Sequence, residues 1–387
     1  LANGFQNLRA QKRVLASRPE ISPHARIAVI GAGPSLAEDL AWLKENRANL
    51  IIFACHSAVR PLRSVGIKPD LQFNIEAKLR PDQIESMQLF SDVPLVTYFK
   101  IDPCALDYFQ TVLLFSEKMK ANPVQLFRQL THTYPTTGNA AIAMACYFQP
   151  KEIYLFGFDF GYRRASNTHV SGSMYDDRAG AQEEQTGSIS SLLVAQNFSD
   201  RPPVYSRGYF NEARLIAQKA VETVKEKARV FNCSDGALIA NTRPLHSADA
   251  ALSHYAARKE DMEKILRAFE PAQEGKHYQK FTEKGHDKLK RIQSKVIDAL
   301  NMAEFDMEFF ASTLNKTIHQ LFIHEYEQDR ADFRHDPFAR IIVDLMVIWY
   351  RFMIFAQTPE EGETIYQKGY EHFVSAVNET KWPENLP

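Results

Sequence analysis

Between residues 26 and 240, short runs rich in β-branched and aromatic residues (RIAVIG, LIIFAC, DLQFNI, PLVTYF, TVLLF, EIYLFGF, RVFNC) alternate with stretches of helical spacing. Runs that are apolar throughout, rather than at every second residue, belong in strands buried on both faces. Both faces are covered when helices cross over between parallel neighbours. The pattern predicts an α/β domain, Rossmann-like, with a mostly parallel sheet and helices on both faces. After TRPLHSADA (242–250) the strand pattern stops. Leu289, Ile292, Val296, Ala299, Ala303 and Met307 then recur at spacings of three or four and paint one apolar helical face. A chain of 387 residues also exceeds the usual size of one core. The expected organisation is a Rossmann-like domain over residues 21–247 and an all-α bundle over 248–387, with residues 1–20 a linker or the end of an upstream domain.

Charge excludes one broad class. Lys and Arg number 46 against 47 Asp and Glu, so no global field draws the protein to nucleic acid. Cys55, Cys104, Cys146 and Cys233 lie far apart, without a CxxC pair or a nearby histidine. That usage fits free thiols in a reducing cytoplasm better than a disulfide frame or a zinc site. The most apolar stretch, IIVDLMVIWYRFMIF (341–355), is interrupted by Asp344 and Arg351 and is shorter than a bilayer span, so it reads as a buried bundle helix. LANGFQNLRAQKR at the start has neither the apolar core nor the cleavage site of a signal peptide. Oligomeric state is not legible.

Three turns carry the chemistry. In AVIGAGPSLAEDL (28–40), Gly31 and Gly33 follow a strand, Pro34 suits the first helical position, and Ser35 precedes the amphipathic run. Free amides at such a turn attract an anion, so phosphate is the natural guest, although a tight turn without ligand has the same pattern. A dinucleotide is disfavoured. Leu36 stands in the third glycine's place, and Cys55 and His56 stand where an acid would hold the ribose. In YPTTGNAAIAMACYF (134–148), Thr136, Thr137 and Gly138 open an Ala-rich helix and offer either an N-cap or a second anion or ribose contact. In KEIYLFGFDFGYR (151–163), a buried strand ends in Gly157 and Asp159 and runs into Tyr162 and Arg163, where α/β proteins place their polar groups. The following segment, 164–191, is rich in Ser, Gly, Asp and Gln and reads as a long loop or lid containing His169.

GAGPSL, FACHS followed by FNIEA, TTGNAAIAMA, EIYLFGFDFGY and NCSDGALI together resemble, in order, the motility accessory factor family of flagellin glycosyltransferases. The central domain of that family is similar to bacterial sialyltransferases that use CMP-activated sugars. The resemblance spans residues 20–245 and implies a donor, a CMP-activated nonulosonic acid of pseudaminic or legionaminic type, and an acceptor, a Ser or Thr hydroxyl of flagellin. It implies roles as well. Gly31, Gly33, Pro34 and Ser35 would form the phosphate and ribose turn, with Asn74 against the nucleotide. Thr136, Thr137 and Gly138 would close the other side, and Gly157 and Asp159 would line the cytidine end.

The chain departs from the sialyltransferase pattern in places. Ala32 and His56 stand where asparagines are expected, His56 remaining a candidate substrate contact, and SRGYFNEAR (206–214) lacks the catalytic histidine. The base that takes the acceptor's proton must come from elsewhere. His169 is the first candidate, because its ordinary pKa lies near operating pH, and Glu76 is the second. Tyr162 or Arg163 would meet the leaving phosphate or the sugar carboxylate. Asp176 and Asp177 lie side by side and do not flank one position, so no metal site or other cofactor is expected. The helical half, 250–387, offers a surface for flagellin, itself helical. Two other readings compete: an ATP- and Mg²⁺-dependent pterin pyrophosphokinase, which shares the GxGPSL turn, and a catalytically inactive flagellin-binding module, in which Ala32 and the missing histidine mark lost activity.

Overall fold

The structure is a computed structural model that describes residues 7, 12–76, 80–118, 128–163, 169–173, 192–272, 312 and 359–379. The chain forms two compact units, one of residues 1–118 and 127–272, the other of 119–126 and 273–387.

The strands of the first unit are β1 (Arg13–Leu15), β2 (Arg26–Ile30), β3 (Ile51–Cys55), β4 (Leu71–Asn74), β5 (Leu95–Tyr98), β6 (Val112–Glu117), β7 (Gln129–Leu130), β8 (Glu152–Phe156), β9 (Leu192–Val194), β10 (Val204–Ser206), β11 (Arg229–Asn232), β12 (Arg243–Pro244) and β13 (Phe269–Pro271). Among the described residues its helices are α1 (Leu36–Glu45), α2 (Val59–Ser64), α3 (Pro81–Gln88), α4 (Thr137–Phe148), α5 (Gly208–Glu222) and α6 (Arg258–Arg267). The main sheet runs β12-β11-β8-β2-β3-β4-β5-β6-β1-β13, with β7 on β6, and β9 and β10 form a separate hairpin. Every pairing in the main sheet is parallel except that of β13 with β1.

Side chains alternate across the sheet, and both faces are dry. Ile27, Val29, Phe53 and Phe73 pack on one side with Ala140, Ala141 and Met144 of α4 and Ala217 of α5. Ala28, Ile30, Ile52 and Ala54 pack on the other with Leu36 and Leu43 of α1 and Leu62 of α2. This is the Rossmann-like α/β arrangement that the apolar runs predict. The small residues of α4 let it lie close to the sheet and to α5, where Asn139 Nδ2 donates to the Ala213 carbonyl across 2.7 Å. Register then sets the site. Ile30 pairs with Ala54 on one side and Phe156 on the other, so Gly31, Cys55 and Gly157 emerge level at the carboxyl edge.

The sheet-bearing unit continues past residue 247. Ile265, Ala268 and Phe269 are buried in the same core as β2 and β3, and β13 extends the sheet on β1. Apolar residues after the last parallel strand therefore complete this core. Residues 13–15 likewise belong to the sheet, because β1 inserts between β6 and β13.

In the second unit, α7 (Pro359–Glu379) is a helix that carries the buried Tyr366. The 289–307 stripe, the 341–355 stretch and most of the proposed flagellin surface lie outside the described residues. Among those described, no helix is long and apolar enough to cross a membrane. Cys55, Cys146 and Cys233 are free and buried, and burial pushes the first two thiols up to about 12.

Candidate functional site

Chain order and spatial order part company at β2. From β2 the chain steps through β3, β4, β5 and β6 in one direction, then returns to lay β8 on the other side of β2. Helices on the two sides of such a reversal leave a crevice beyond the carboxyl ends of the strands, the usual ligand site of open α/β sheets. A cavity of about 780 Å³ opens there. Its walls are the ends of β2 (Gly31–Gly33), β3 (Cys55–Ser57), β4 (Ile75, Glu76) and β8 (Gly157–Gly161). The starts of α4 (Pro135–Gly138) and α5 (Arg207–Phe210), together with His169, complete them. The volume suits a nucleotide-sized ligand.

The glycines of the first turn serve the protein's own backbone. Gly31 N donates to Phe156 O and Gly33 N to Gly157 O, each across 2.8 Å. A Cβ on Gly31 would lie 2.5 Å from Gly157 O, and one on Gly33 would overlap the Asp159 carboxylate. Gly157 has φ +66, a conformation that only glycine adopts without strain. Asp159 Oδ2 accepts from Ser35 N across 3.2 Å and so takes the position at the start of α1 where a dinucleotide fold seats a phosphate. The amides of Gly31, Gly33 and Ser35, expected to cradle a phosphate, thus already have acceptors within the protein.

The NCSDGALI motif buttresses this loop. Ser234 Oγ accepts from Phe158 N across 2.8 Å, and Ala237 N donates to Asp159 O across 2.8 Å. Asn232 Oδ1 in turn fixes Ser234 by accepting from its amide at 3.1 Å. Phe160, on the cavity wall, is held at φ 46, a strained conformation for a bulky side chain of the kind that clusters at ligand sites.

The opposite wall carries two helix starts. Thr136 caps α4 by accepting from Asn139 N across 3.2 Å, while the amides of Thr137 and Gly138 have no helical carbonyl one turn back. Tyr209 Oη donates to Pro135 O across 3.2 Å and ties the start of α5 to that of α4. Two helix N-termini thereby share one wall, each with about half a positive charge. Arg207, the residue before α5, lies beside them. Its guanidinium stacks 5.1 Å from the Tyr162 ring centroid and its Nε donates to Tyr162 Oη across 3.4 Å.

Burial sets the protonation of the remaining groups. It lowers the His56 and His169 imidazoles to about 4, so both are neutral at pH 7, and the match to operating pH expected of His169 from its ordinary value does not hold. His56 Nδ1 lies 3.4 Å from Thr137 Oγ1. Burial raises Asp159 to about 6 against the lowering effect of hydrogen bonds from Ser35, and its Oδ1 has no partner among the described residues. Among those residues no group of three His, Cys, Asp or Glu is placed to hold a metal ion.

Most sequence-predicted residues meet in this cavity: His169, Glu76, Asp159, His56, Gly31, Gly33, Thr136, Thr137, Gly138 and Gly157 all line it. Pro34, Ser35, Asn74, Tyr162 and Arg163 do not. Asn74 is fully buried, and its Oδ1 accepts from Glu76 N across 2.6 Å, which fixes the turn that presents Glu76. Tyr162 is the platform for Arg207, and its backbone pairs with Tyr205. Arg163 makes a two-pronged ion pair with Asp235, at 2.9 and 3.1 Å, and donates to the Asp235 and Pro202 carbonyls. The arginine that does reach the cavity is Arg207. Its signal in the sequence is its place just before Gly208 at a helix start.

Fold and cleft together define a Rossmann-like protein with a switch-point ligand site. Residues 1–165 match the family described as 6-hydroxymethylpterin diphosphokinase MptE-like. In three dimensions the chain is similar to the Maf glycosyltransferase from Magnetospirillum magneticum AMB-1, at 19% identity and a TM-score of 0.70 over 97% of this chain and 57% of that one. The sequence resemblance to Maf glycosyltransferases is therefore matched by a common fold, and this chain spans little more than half of that relative. No curated protein matches the chain.

Proposed function

We propose that the protein is a glycosyltransferase that moves a nonulosonic acid, pseudaminic or legionaminic in type, from its CMP-activated form to a Ser or Thr hydroxyl of flagellin. The observation that carries this reading is the cleft itself: a nucleotide-sized cavity at the switch point, with two helix N-termini and an arginine on one wall and two neutral imidazoles and two carboxyl groups around it. Breaking the sugar–phosphate bond leaves the electron pair on CMP, so the site must stabilise growing negative charge. Helix N-termini already oriented toward the cavity do so without reorganising. The acceptor hydroxyl gives up its proton as its oxygen joins the sugar. His169, neutral and on the cavity wall, accepts that proton in this reading, and Glu76 is the competing base. The proposed chemistry uses no metal.

The match of residues 1–165 to the pterin diphosphokinase description supports a second reading, transfer of diphosphate from ATP with Mg²⁺. Thermal-shift titration with CMP, CTP, ATP and NAD, with and without Mg²⁺, separates the two, because a ligand that binds only the folded state raises the melting temperature. Stabilisation by CMP or CTP without metal is expected, followed by mass gain of flagellin on incubation with a CMP-nonulosonic acid. Stabilisation by ATP and Mg²⁺ alone moves the assignment to the kinase, and silence from all four leaves a binding module.

A further inference from the structure

The first glycine turn has the sequence of a phosphate site, yet its helix start is already occupied by a carboxylate of the protein. Asp159 Oδ2 sits on Ser35 N, and Gly33 N is bound to Gly157 O. A phosphate there would face a buried carboxyl group of the protein. The favourable position for an anion is across the cavity. There the starts of α4 and α5, helices of 12 and 15 residues, are joined by the Tyr209–Pro135 hydrogen bond.

Arg207 is the positive charge at that place. Among the described residues it has no carboxylate partner, in contrast to Arg163, Arg26 and Arg258, whose guanidinium groups are held by Asp235, Glu152 and Asp70. Tyr162 holds its guanidinium from one side, by ring stacking and through Oη, and leaves the remaining donors unassigned. A planar fork of N–H donors held in place beside two helix N-termini fits a phosphate oxygen pair better than a solvated surface role. A second observation points to a ligand in the same cavity. Asp159 is 5% exposed and its Oδ1 has no partner among the described residues, so a buried acceptor waits for a donor such as a ribose hydroxyl or an exocyclic amine.

We infer that Arg207, on its Tyr162 platform, is the residue that binds the phosphate of a mononucleotide at the joined starts of α4 and α5, while the glycine turn after β2 holds no phosphate. This rests on the nucleotide reading above and adds the residue that reads the charge. It also gives Tyr162 a role as a positioning residue.

The test compares CMP with cytidine, which share every group except the phosphate, by calorimetric titration of the full chain. Arg207→Gln is expected to weaken CMP by about 10- to 100-fold, the loss of one or two charge-assisted hydrogen bonds, and to leave cytidine affinity unchanged. Unchanged cytidine binding also certifies that the variant is folded. Tyr162→Leu, which keeps the charge but removes the platform, should give a smaller loss with the same selectivity for CMP. Arg267→Gln, on the exposed side of α6, should change neither ligand. An unaltered ratio of CMP to cytidine affinity in Arg207→Gln overturns the inference and leaves the proposed function standing. A loss seen with the free acidic sugar but not with CMP also overturns it, because Arg207 then reads the sugar carboxylate. Wild-type protein that binds neither CMP nor cytidine overturns both.

Discussion

Gly33→Ala tests whether the first turn is shaped by a ligand or by the protein. Gly33 does not have a positive φ, so alanine meets no backbone penalty there and any cost is steric. The added methyl would overlap the Asp159 carboxylate and lie 2.8 Å from the Gly157 carbonyl oxygen. One escape swings the carboxylate away. That breaks its 3.2 Å bond to Ser35 N and leaves the start of α1 without its acceptor, at a cost of about 1.5–3 kcal/mol. The other moves the β8 loop, stretches the 2.8 Å bond from Gly33 N to Gly157 O and strains a packed region, at about 1–3 kcal/mol. The cheaper escape sets the cost, so a destabilisation of about 1–3 kcal/mol is expected in urea denaturation. The decisive arm is a double-mutant cycle. With Asp159→Ala in place the carboxylate is gone, so the methyl should cost about 1–2 kcal/mol less than in wild type. Gly31→Ala offers a contrast, because its Cβ meets backbone, Gly157 O at 2.5 Å, and Asp159→Ala cannot relieve it. The reasoning is refuted if Gly33→Ala costs under about 0.5 kcal/mol, or if its cost adds independently to that of Asp159→Ala.

Stability should respond to pH through two opposed pairs of buried groups. Burial raises Asp39 to about 7 and Asp159 to about 6, so the folded state holds protons that the unfolded chain has released. Their contribution is greatest below the ordinary carboxylate value and is lost as pH rises through about 4 to 7. His56 and His169, lowered to about 4, act in the other direction, and stability is lost as pH falls from about 6.5 to 4. Asp39→Asn should therefore gain on wild type above pH 7 and His56→Gln should flatten the acid limb; denaturation midpoints from pH 4 to 8 that run parallel to wild type would contradict the assignment. Arg163→Ala, which breaks the fork to Asp235, should destabilise by about 1–3 kcal/mol yet leave any CMP-induced melting shift intact. Loss of that shift without loss of stability would place Arg163 back in the binding site.

The sequence by itself determined the fold class and the elements that bear the site. Apolar runs that never alternate had to lie in a sheet covered on both faces, and turns after them had to reach its carboxyl edge, because strand direction follows from the helices between. That much needs only local periodicity. What tertiary structure decided was which groups already satisfy one another. Asn74, Tyr162 and Arg163 looked like ligand contacts because their chemistry suits one, and nothing local reveals that Asn74 fixes Glu76, that Tyr162 carries Arg207, or that Asp235, far along the chain, holds Arg163. The glycines of the first turn misled for the same reason. A glycine is needed wherever something approaches closely, and the sequence does not say whether that is a phosphate or the chain's own Asp159 loop, brought there by pairing β8 beside β2. Nothing local marks Arg207, because its position acquires meaning only when α5 comes to share a wall with α4.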